Sequence, residues 1–199
     1  MFDATIPYIG LWAFIVLMVS TPGPANMLLM AKGAAFGFRA NIPFMIGLVI
    51  GKLGINILIA CGFGAILTVM PSVSLVMSLI AGGYLCYLAL RSWNLGVAGA
   101  KEPEPVGWRE GMIVHPLSPK AWLMATLAYS QFIVGMDGVF ARFALAPLSF
   151  LIAQLVFHSL WCLLGVGLKT TFGTSPYINR GLILITIAVV IWALIYPVS

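Results

Sequence analysis

The stretch that decides the fold of this chain is Ser20-Thr21-Pro22-Gly23-Pro24-Ala25-Asn26-Met27, inside an apolar segment that runs from residue 8 to residue 31. Each proline ring removes a backbone N–H donor and glycine adds conformational freedom, so a regular helix cannot continue through it. In hydrocarbon the freed carbonyls need partners from protein or water, and half-helix ends near the membrane midplane recur in transporters. The stretch therefore indicates either a broken helix facing a cavity or a simple proline kink.

The composition predicts an integral membrane protein. Of the 199 residues, 62% are hydrophobic and 8% are charged, and the mean hydropathy is +1.09, whereas a soluble domain is nearer half apolar and a quarter charged. The apolar runs are continuous and about 20 residues long, which favours transmembrane helices over the alternating strands of a barrel. We therefore expect residues 1–199 to form a single transmembrane domain of all-α class, in contact with the lipid bilayer.

Six membrane spans are predicted, at 8–31, 42–69, 73–93, 111–134, 143–168 and 178–197. Basic residues fall almost entirely on one side of these spans, in the order Lys32, Arg39, Arg91, Lys101, Arg109, Lys169 and Arg180. Only Arg142 falls on the other side. Because basic loops stay in the cytoplasm, both chain ends are predicted to lie outside. The net charge of +5 is explained by this placement, and no nucleic-acid partner is expected.

A polar connector divides the chain into two halves of three spans each. Residues 96–108 include the segment Lys101-Glu102-Pro103-Glu104-Pro105, whose two X-Pro steps disfavour a helix. We expect a first repeat at 1–95, a cytoplasmic connector at 96–108 and a second repeat at 109–199. An odd number of spans in each half forces the halves into opposite orientations, which is the arrangement of inverted-repeat transporters.

The second half repeats the proline signal of the first. Leu117-Ser118-Pro119-Lys120-Ala121-Trp122-Leu123-Met124-Ala125 places a proline ahead of an apolar run that ends in Leu-Met-Ala, as Pro24 does in the run that ends at Ala31. This positional echo predicts a second broken helix near Pro119. Two such helices meeting on a twofold axis would bring backbone polar groups to one site at the midplane.

Two lysines lie deep within predicted spans. Lys52 is about ten residues from either end of its span, and Lys120 lies about ten residues beyond Gly111. None of the five acidic residues lies within a span, so an ion pair inside the membrane is excluded for both lysines; the five are Asp3, Glu102, Glu104, Glu110 and Asp137. A substrate carboxylate, backbone carbonyls or deprotonation must then compensate, and Lys120 could alternatively snorkel to the surface. The pattern favours an anionic or zwitterionic substrate.

The remaining polar and small residues divide by role. The GxxxG spacing of Gly47 and Gly51 predicts close helix packing. Four amide side chains could line the substrate route or form hydrogen bonds between helices: Asn26, Asn41, Asn56 and Gln154. Asn26, beside the first break, is the best candidate for the site.

His115 and His158 are the only groups that titrate near neutral pH, so either a proton-relay or a structural role is open to them. Cys61, Cys86 and Cys162 are widely spaced within apolar segments, and no disulfide framework, metal site or cofactor is expected.

The ordered motifs resemble those of the LysE/RhtB family of amino-acid exporters. The matching stretches cover essentially the whole chain: Thr21-Pro22-Gly23-Pro24-Ala25-Asn26, Gly37-Phe38-Arg39, Gly47-Leu48-Val49-Ile50-Gly51, Gly62-Phe63-Gly64, Gly82-Gly83-Tyr84-Leu85-Cys86-Tyr87-Leu88-Ala89-Leu90-Arg91, Arg109-Glu110-Gly111 and Ser118-Pro119-Lys120-Ala121-Trp122. The resemblance implies a secondary-active exporter of amino acids or related metabolites in a bacterial inner membrane. It also implies that the two proline motifs belong to the central region.

Two departures from the family pattern bear on the substrate. Ser118 stands where relatives usually have Asn before Pro-Lys, and Lys52 stands where many relatives have an acidic or neutral residue. The second departure disfavours a cationic substrate such as lysine or arginine. Which group carries the coupling proton stays open.

The prediction is a six-helix inverted-repeat exporter of small amino acids or carboxylated metabolites, driven by the proton gradient through alternating access. The residues predicted to bind the substrate are Pro22, Gly23, Pro24, Asn26, Ser118, Pro119, Lys120 and Lys52. An enzyme is disfavoured because the chain has no HExxH or GxSxG motif and no carboxylate within a span. A structural scaffold and a channel-like facilitator are the alternatives. Glycine-rich faces would permit a homodimer.

Overall fold

The computed structural model describes residues 5–63, 71–95, 103–133, 136, 138–173 and 175–195, and the elements in these ranges are all helical. In chain order they are α1 (Thr5–Ser20), α2 (Pro24–Phe36), α3 (Phe38–Ala60), α4 (Pro71–Leu90), α5 (Trp108–Leu117), α6 (Pro119–Ala128), α7 (Ala146–Phe172) and α8 (Pro176–Ile195). A π-helical turn, Tyr129–Ile133, continues α6, and another, Ala141–Leu145, leads into α7. The predicted all-helical class is confirmed over these residues.

Both predicted helix breaks are present. The axes of α1 and α2 differ by 55° across the three residues between Ser20 and Pro24, which is a break and not a slight kink. Ser118 has an extended backbone (φ −88°, ψ 111°) and separates α5 from α6. A proline occupies the first turn of both α2 and α6, where its missing N–H costs no hydrogen bond. Local proline chemistry therefore determines where both half-helices begin.

The number of spans is supported only in part. Among the described residues, three helices are long and apolar enough to cross a membrane: Phe38–Ala60, Ala141–Phe172 and Pro176–Ile195. The bent pair α1–α2 makes a fourth if it counts as one span. The predicted span ends at residues 69, 134 and 197, and residues 96–102 of the connector, lie outside the described residues. The six-span count stays a prediction.

The prediction of a loop at residues 32–41, between the first two spans, is wrong. Only Gly37 separates α2 from α3, with a positive φ of 80° that glycine adopts without strain, and its N–H donates to the carbonyl of Gly33. Lys32, expected in this loop, lies within α2 with 1% of its surface exposed, and Arg39 is already part of α3. The basic charge at 32 misled the prediction because a lysine usually ends an apolar segment.

Helices from the two halves of the chain pack against each other in a reciprocal pattern. α3 packs on α5 so closely that a Cβ on Gly47 or Gly51 would overlap the carbonyl oxygens of Trp108 or Met112. α2 packs on α7 in the same manner, with backbone contact between the segments around Gly33 and Gly165, and α4 packs on α8. These glycines let the backbones touch, which gains dispersion contacts in a setting where lipid removes the hydrophobic driving force.

The buried apolar residues form two main clusters. One joins α1, the end of α3, α6 and α7, and includes Leu11, Ile15 and Phe150. The other joins α2, the start of α3, α4, α5, the second half of α7 and α8, and includes Leu28 and Phe44. One cluster thus contains the half-helix before the first break and the half-helix after the second, whereas the other contains the opposite pair. The breaks lie where the two clusters separate.

Candidate functional site

The first break is stabilised by side chains that bind its freed carbonyls. The amide of Asn26 donates one N–H to the carbonyl of Val19 and the other to that of Thr21, both at 2.9 Å. The indole N–H of Trp161, on α7, donates to the carbonyl of Ser20 at 3.2 Å. Three consecutive carbonyls that a continuous helix would have bonded internally thus find partners, as a membrane interior requires.

The second break is stabilised by the same kind of contact. The indole N–H of Trp122 donates to the carbonyl of Pro116 at 2.9 Å, and the N–H of Ser118 donates to the carbonyl of His115 at 2.9 Å. In the first turn of α6, the carbonyl of Ala121 accepts from the ammonium of Lys52 at 2.6 Å. A tryptophan N–H therefore binds a freed carbonyl at each break.

The two breaks, far apart in sequence, meet in space. The ammonium of Lys120 donates to the hydroxyl of Thr21 at 3.4 Å. A Cβ on Gly23 would stand 3.6 Å from the same ammonium nitrogen, so the lysine side chain lies directly beside the backbone of the first break. The positively charged residue of one half is thereby placed against the proline motif of the other.

A cavity of about 730 Å³ opens at this meeting point. Its size falls within the range of about 300–1,000 Å³ that small-molecule sites occupy. Its polar wall comes from the two breaks and from α5 and α7, whereas α4 and α8 contribute mainly apolar side chains such as Leu75 and Val190. None of the described residues that line it is acidic. The cavity can therefore receive a solute with one polar end and one apolar part.

The electrostatics of the polar wall favour a negative group. The N-termini of α2 and α6 both border the cavity, and the described residues provide no side-chain cap at either Gly23 or Ser118. Helix N-termini carry a partial positive charge and exposed N–H groups, which bind carboxylates and other anions. The ammonium of Lys120 adds a full positive charge beside them. This part of the wall is suited to a carboxylate.

Lys52 is near the site but is not part of its wall. Its side chain has 0% of its surface exposed, and its ammonium lies 4.4 Å from the centre of the Phe150 ring as well as on the Ala121 carbonyl. Of the alternatives that the sequence left open, a backbone carbonyl is the partner that the structure provides for this lysine. The cation–π contact adds a further attraction.

A cluster of three polar side chains forms another part of the wall. His115 on α5 and His158 on α7 stack with ring centres 5.8 Å apart and an interplanar angle of 15°. The Nε2 atoms of Gln154 and His115 are 3.0 Å apart. Gln154 and His158 also line a second cavity of about 170 Å³, mainly apolar, between α3 and α7. The cluster thus lies buried between the two cavities.

Seven of the eight residues predicted to bind a substrate line the larger cavity: Pro22, Gly23, Pro24, Asn26, Ser118, Pro119 and Lys120. Lys52 is the exception. The roles of Trp161 and Trp122 were missed, because a tryptophan in an apolar span gives no sign in the sequence that its N–H binds a freed carbonyl. The buried Lys32, which donates to the hydroxyl of Ser92 at 2.6 Å, was also missed. No group of three metal-ligating side chains occurs among the described residues.

Comparisons with known proteins give consistent results. A family model described as LysE type translocator matches residues 15–194. The cysteine/O-acetylserine efflux protein of Salmonella choleraesuis strain SC-B67 is 26% identical over 127 residues, which cover 62% of this chain and 64% of that protein. The protein of the same name from Escherichia coli strain K12 is 23% identical over the same length and shares of each chain. The chain therefore spans less than two thirds of the length of these curated relatives. No solved structure matches it.

Proposed function

The chain belongs to the LysE type translocator family, and from this membership we propose that it exports small amino acids or related carboxylated metabolites across a bacterial inner membrane. The resemblance predicted from the ordered motifs is thus confirmed. We propose that export is secondary-active, coupled to the proton gradient, and proceeds by alternating access at the cavity between the two breaks. The observation that carries the proposal is the contact of Lys120 with Thr21 across that cavity.

We propose six spans in two inverted repeats, with both chain ends outside. The packing supports this arrangement at the level of whole spans. A twofold axis that exchanged the two halves would exchange the contact of the first bent helix (α1–α2) with α7 for the contact of the second bent helix (α5–α6) with α3, and would retain the α4–α8 pair. The same axis would exchange α1 and α6 of one apolar cluster with α5 and α2 of the other. Each cluster would then close one side of the cavity, and rocking of the halves would open one cluster while the other stays packed.

The substrate carboxylate is proposed to bind between Lys120 and the N-termini of α2 and α6. Those groups carry positive charge, and the described cavity wall contains no acid that would neutralise it. Asn26 and Ser118 would fix the orientation of the solute, while Lys52 acts indirectly by binding the Ala121 carbonyl in the first turn of α6. A residue that holds the half-helix in place supports the site without touching the substrate.

The site and the relatives both support a proposal for the substrate class. The cavity offers a cationic wall for a carboxylate and an apolar wall for a short side chain. The relatives are named for efflux of cysteine and O-acetylserine, both small and uncharged in their side chains. We therefore propose a small neutral amino acid as the solute and disfavour lysine or arginine.

The test is counterflow exchange of L-cysteine, kept reduced, in proteoliposomes that contain the purified protein. We expect saturable exchange by the wild type and a loss of about 10- to 100-fold in Lys120→Met, because hydrogen bonds to charged groups contribute about 1.5–3 kcal/mol. Net flux should respond to an imposed pH gradient, which a scaffold or a channel would not show.

The matched control is Lys169→Met. Lys169 also donates to a backbone carbonyl, that of Ala35 at 3.2 Å, but it does not line the cavity. We expect it to exchange substrate at the wild-type rate. Unchanged exchange in a correctly folded Lys120→Met protein would remove the proposed role of Lys120, and equal losses in both lysine variants would show that the effect is not specific to the cavity.

A further inference from the structure

The cluster of His115, Gln154 and His158 contains more hydrogen-bonding capacity than it uses. The Nε2 atoms of Gln154 and His115 are in contact at 3.0 Å, but the Gln154 Oε1 and the His158 Nδ1 are buried and have no hydrogen-bond partner among the described residues. The side chain of Gln154 is 1% exposed and that of His158 is 3% exposed. A buried polar atom without a partner costs about 1–3 kcal/mol, so two in one cluster indicate that something else binds there during function.

Gln154 can bond to His115 in either protonation state of the ring. When Nε2 of the His115 ring carries no proton, the amide N–H of Gln154 donates to this nitrogen, as the 3.0 Å contact allows. When the imidazole carries a proton on Nε2, a rotation of the amide presents Oε1 as the acceptor. A carboxylate at this position would favour the charged ring, and an apolar side chain would favour the neutral ring. The amide allows the ring to exchange a proton without losing its partner.

The cluster has room for one positive charge. The stacked rings are only 5.8 Å apart, so a proton on one opposes a proton on the other. The charged side chains of the described residues next to the cluster are both cationic. Lys120 of α6 lines the same cavity. Lys52 of α3 follows Gly51, which lies against α5 at Met112 and Pro116, on either side of His115.

More distant charged groups of the packed helices have partners of their own. Lys32 of α2 donates to the Ser92 hydroxyl. Arg91, directly after α4, pairs with Glu110 at the start of α5, with 3.7 Å between their charged atoms. No acidic side chain among the described residues of the cavity wall offsets a second charge in the cluster.

We propose that this cluster is the coupling site of the exporter and that it holds either one proton or the ammonium group of the substrate, but not both. This inference rests on the proposed function. A substrate whose carboxylate is at Lys120 has its ammonium in the same cavity, where Gln154 Oε1 and a neutral histidine ring are acceptors. Mutual exclusion of two cations at one site yields antiport: the proton that enters displaces the amino acid that leaves.

The two histidines of the chain allow a direct test, because they are its only ones. Protein labelled with ¹⁵N in its imidazoles is placed in lipid nanodiscs, and both rings are titrated by NMR, with assignment from His115→Gln and His158→Gln. We expect one ring to take up a proton in the first step and the other only at lower pH. Removing either histidine should raise the midpoint of the remaining ring by about one pH unit or more, because like charges at this separation oppose each other. Rings that titrate independently would overturn the proposal.

A near-isosteric variant tests the role of the amide. Gln154→Glu places a carboxylate beside His115 and should raise the midpoint of that ring, and unchanged midpoints in a folded protein would contradict the role of Gln154. Saturating L-cysteine should lower the midpoint of the first step in the wild type. If L-cysteine exchanges in proteoliposomes but does not move the midpoint, the competition is refuted, whereas an absence of any exchange would count against the proposed function instead.

The transport test separates coupling from binding. In the double variant His115→Gln with His158→Gln, we expect flux driven by a pH gradient to fall about tenfold or more. Counterflow exchange of L-cysteine should fall by less, because it needs no net proton movement and the Gln154 Oε1 still accepts from the ammonium. Monodisperse elution from size exclusion verifies folding of the variant. Wild-type dependence of flux on the pH gradient in the double variant would overturn the proposal.

Discussion

The two helix breaks of this chain differ in how their polar groups are paired. At the first break, Asn26 and Trp161 bind three consecutive carbonyls, and no charged side chain belongs to the stretch. At the second break, a single extended residue, Ser118, is followed by Lys120, whose hydrogen bond to the Thr21 hydroxyl is long at 3.4 Å. The first break is thus held by hydrogen bonds within the protein. The second supplies an ammonium group that can form a shorter hydrogen bond with a substrate.

The two deep lysines show the same difference. The ammonium of Lys52 has a carbonyl at 2.6 Å and an aromatic ring at 4.4 Å and is fully buried. The ammonium of Lys120 faces the cavity. The Lys52 ammonium already has close partners within the protein and is therefore structural. The Lys120 ammonium borders a cavity whose described wall has no acidic residue, so it can bind a carboxylate.

The largest effect on stability is expected at Asn26. Asn26→Leu keeps the size of the side chain but removes both N–H donors, so the buried carbonyl of Val19 and the half-buried carbonyl of Thr21 lose their partners. At about 1–3 kcal/mol for each group, the free energy of unfolding should fall by about 2–6 kcal/mol. The measurement is unfolding in detergent, followed by circular dichroism.

Asn41→Leu is the matched control for this variant. Asn41 also donates to two carbonyls, those of Lys32 and Gly37, but at the turn between α2 and α3. We expect a similar loss of stability in both variants and a loss of exchange per folded molecule in Asn26→Leu alone. Wild-type stability of Asn26→Leu would contradict the account of the first break.

The tryptophans test whether the two breaks are stabilised equally. Trp161→Phe and Trp122→Phe each remove one N–H donor while keeping most of the ring. We expect each to lower the free energy of unfolding by about 1 kcal/mol. The double variant should show the sum, since the two carbonyls belong to different breaks. A variant without any loss would mean that water or another group binds the carbonyl at that break.

Lys52→Met should change stability little. The side chains have similar length, and the Ala121 carbonyl lies within α6, where a backbone N–H can bond to it. Taking an ammonium group out of water costs several kcal/mol, and an apolar side chain of similar size avoids that cost. We therefore expect a melting temperature equal to or above that of the wild type. A loss of about 3 kcal/mol or more would show that the ammonium is required at the second break.

The smallest effect is expected at Gly23. Its backbone (φ −153°, ψ 169°) is extended and open to any residue, and a Cβ would make only ordinary contact with the Lys120 ammonium. Gly23→Ala should therefore unfold within about 0.5 kcal/mol of the wild type. Gly37→Ala is the contrasting control, because the positive φ of 80° at that turn strains any side chain. Equal stability losses in the two alanine variants would contradict this distinction.

The sequence predicted features that depend on neighbouring residues and missed contacts between helices that are distant along the chain. Proline and glycine determine backbone geometry within a few residues, so both breaks and the close packing at Gly47 could be predicted. The depth of Lys32 and the pairing of Gln154 with His115 depend on which helices become neighbours, and no pattern along the chain encodes that. The Trp161 contact with Ser20 likewise joins α7 to the first break across the fold.

The most direct test of the central claim pairs one substrate group with one side chain. L-Cysteine and cysteamine differ by the carboxylate, and each is measured as an inhibitor of counterflow in the wild type and in Lys120→Met. If Lys120 binds the carboxylate, the wild type should prefer L-cysteine by about 10- to 100-fold, and the variant should lose nearly all of that preference. The same preference in both proteins would contradict the account.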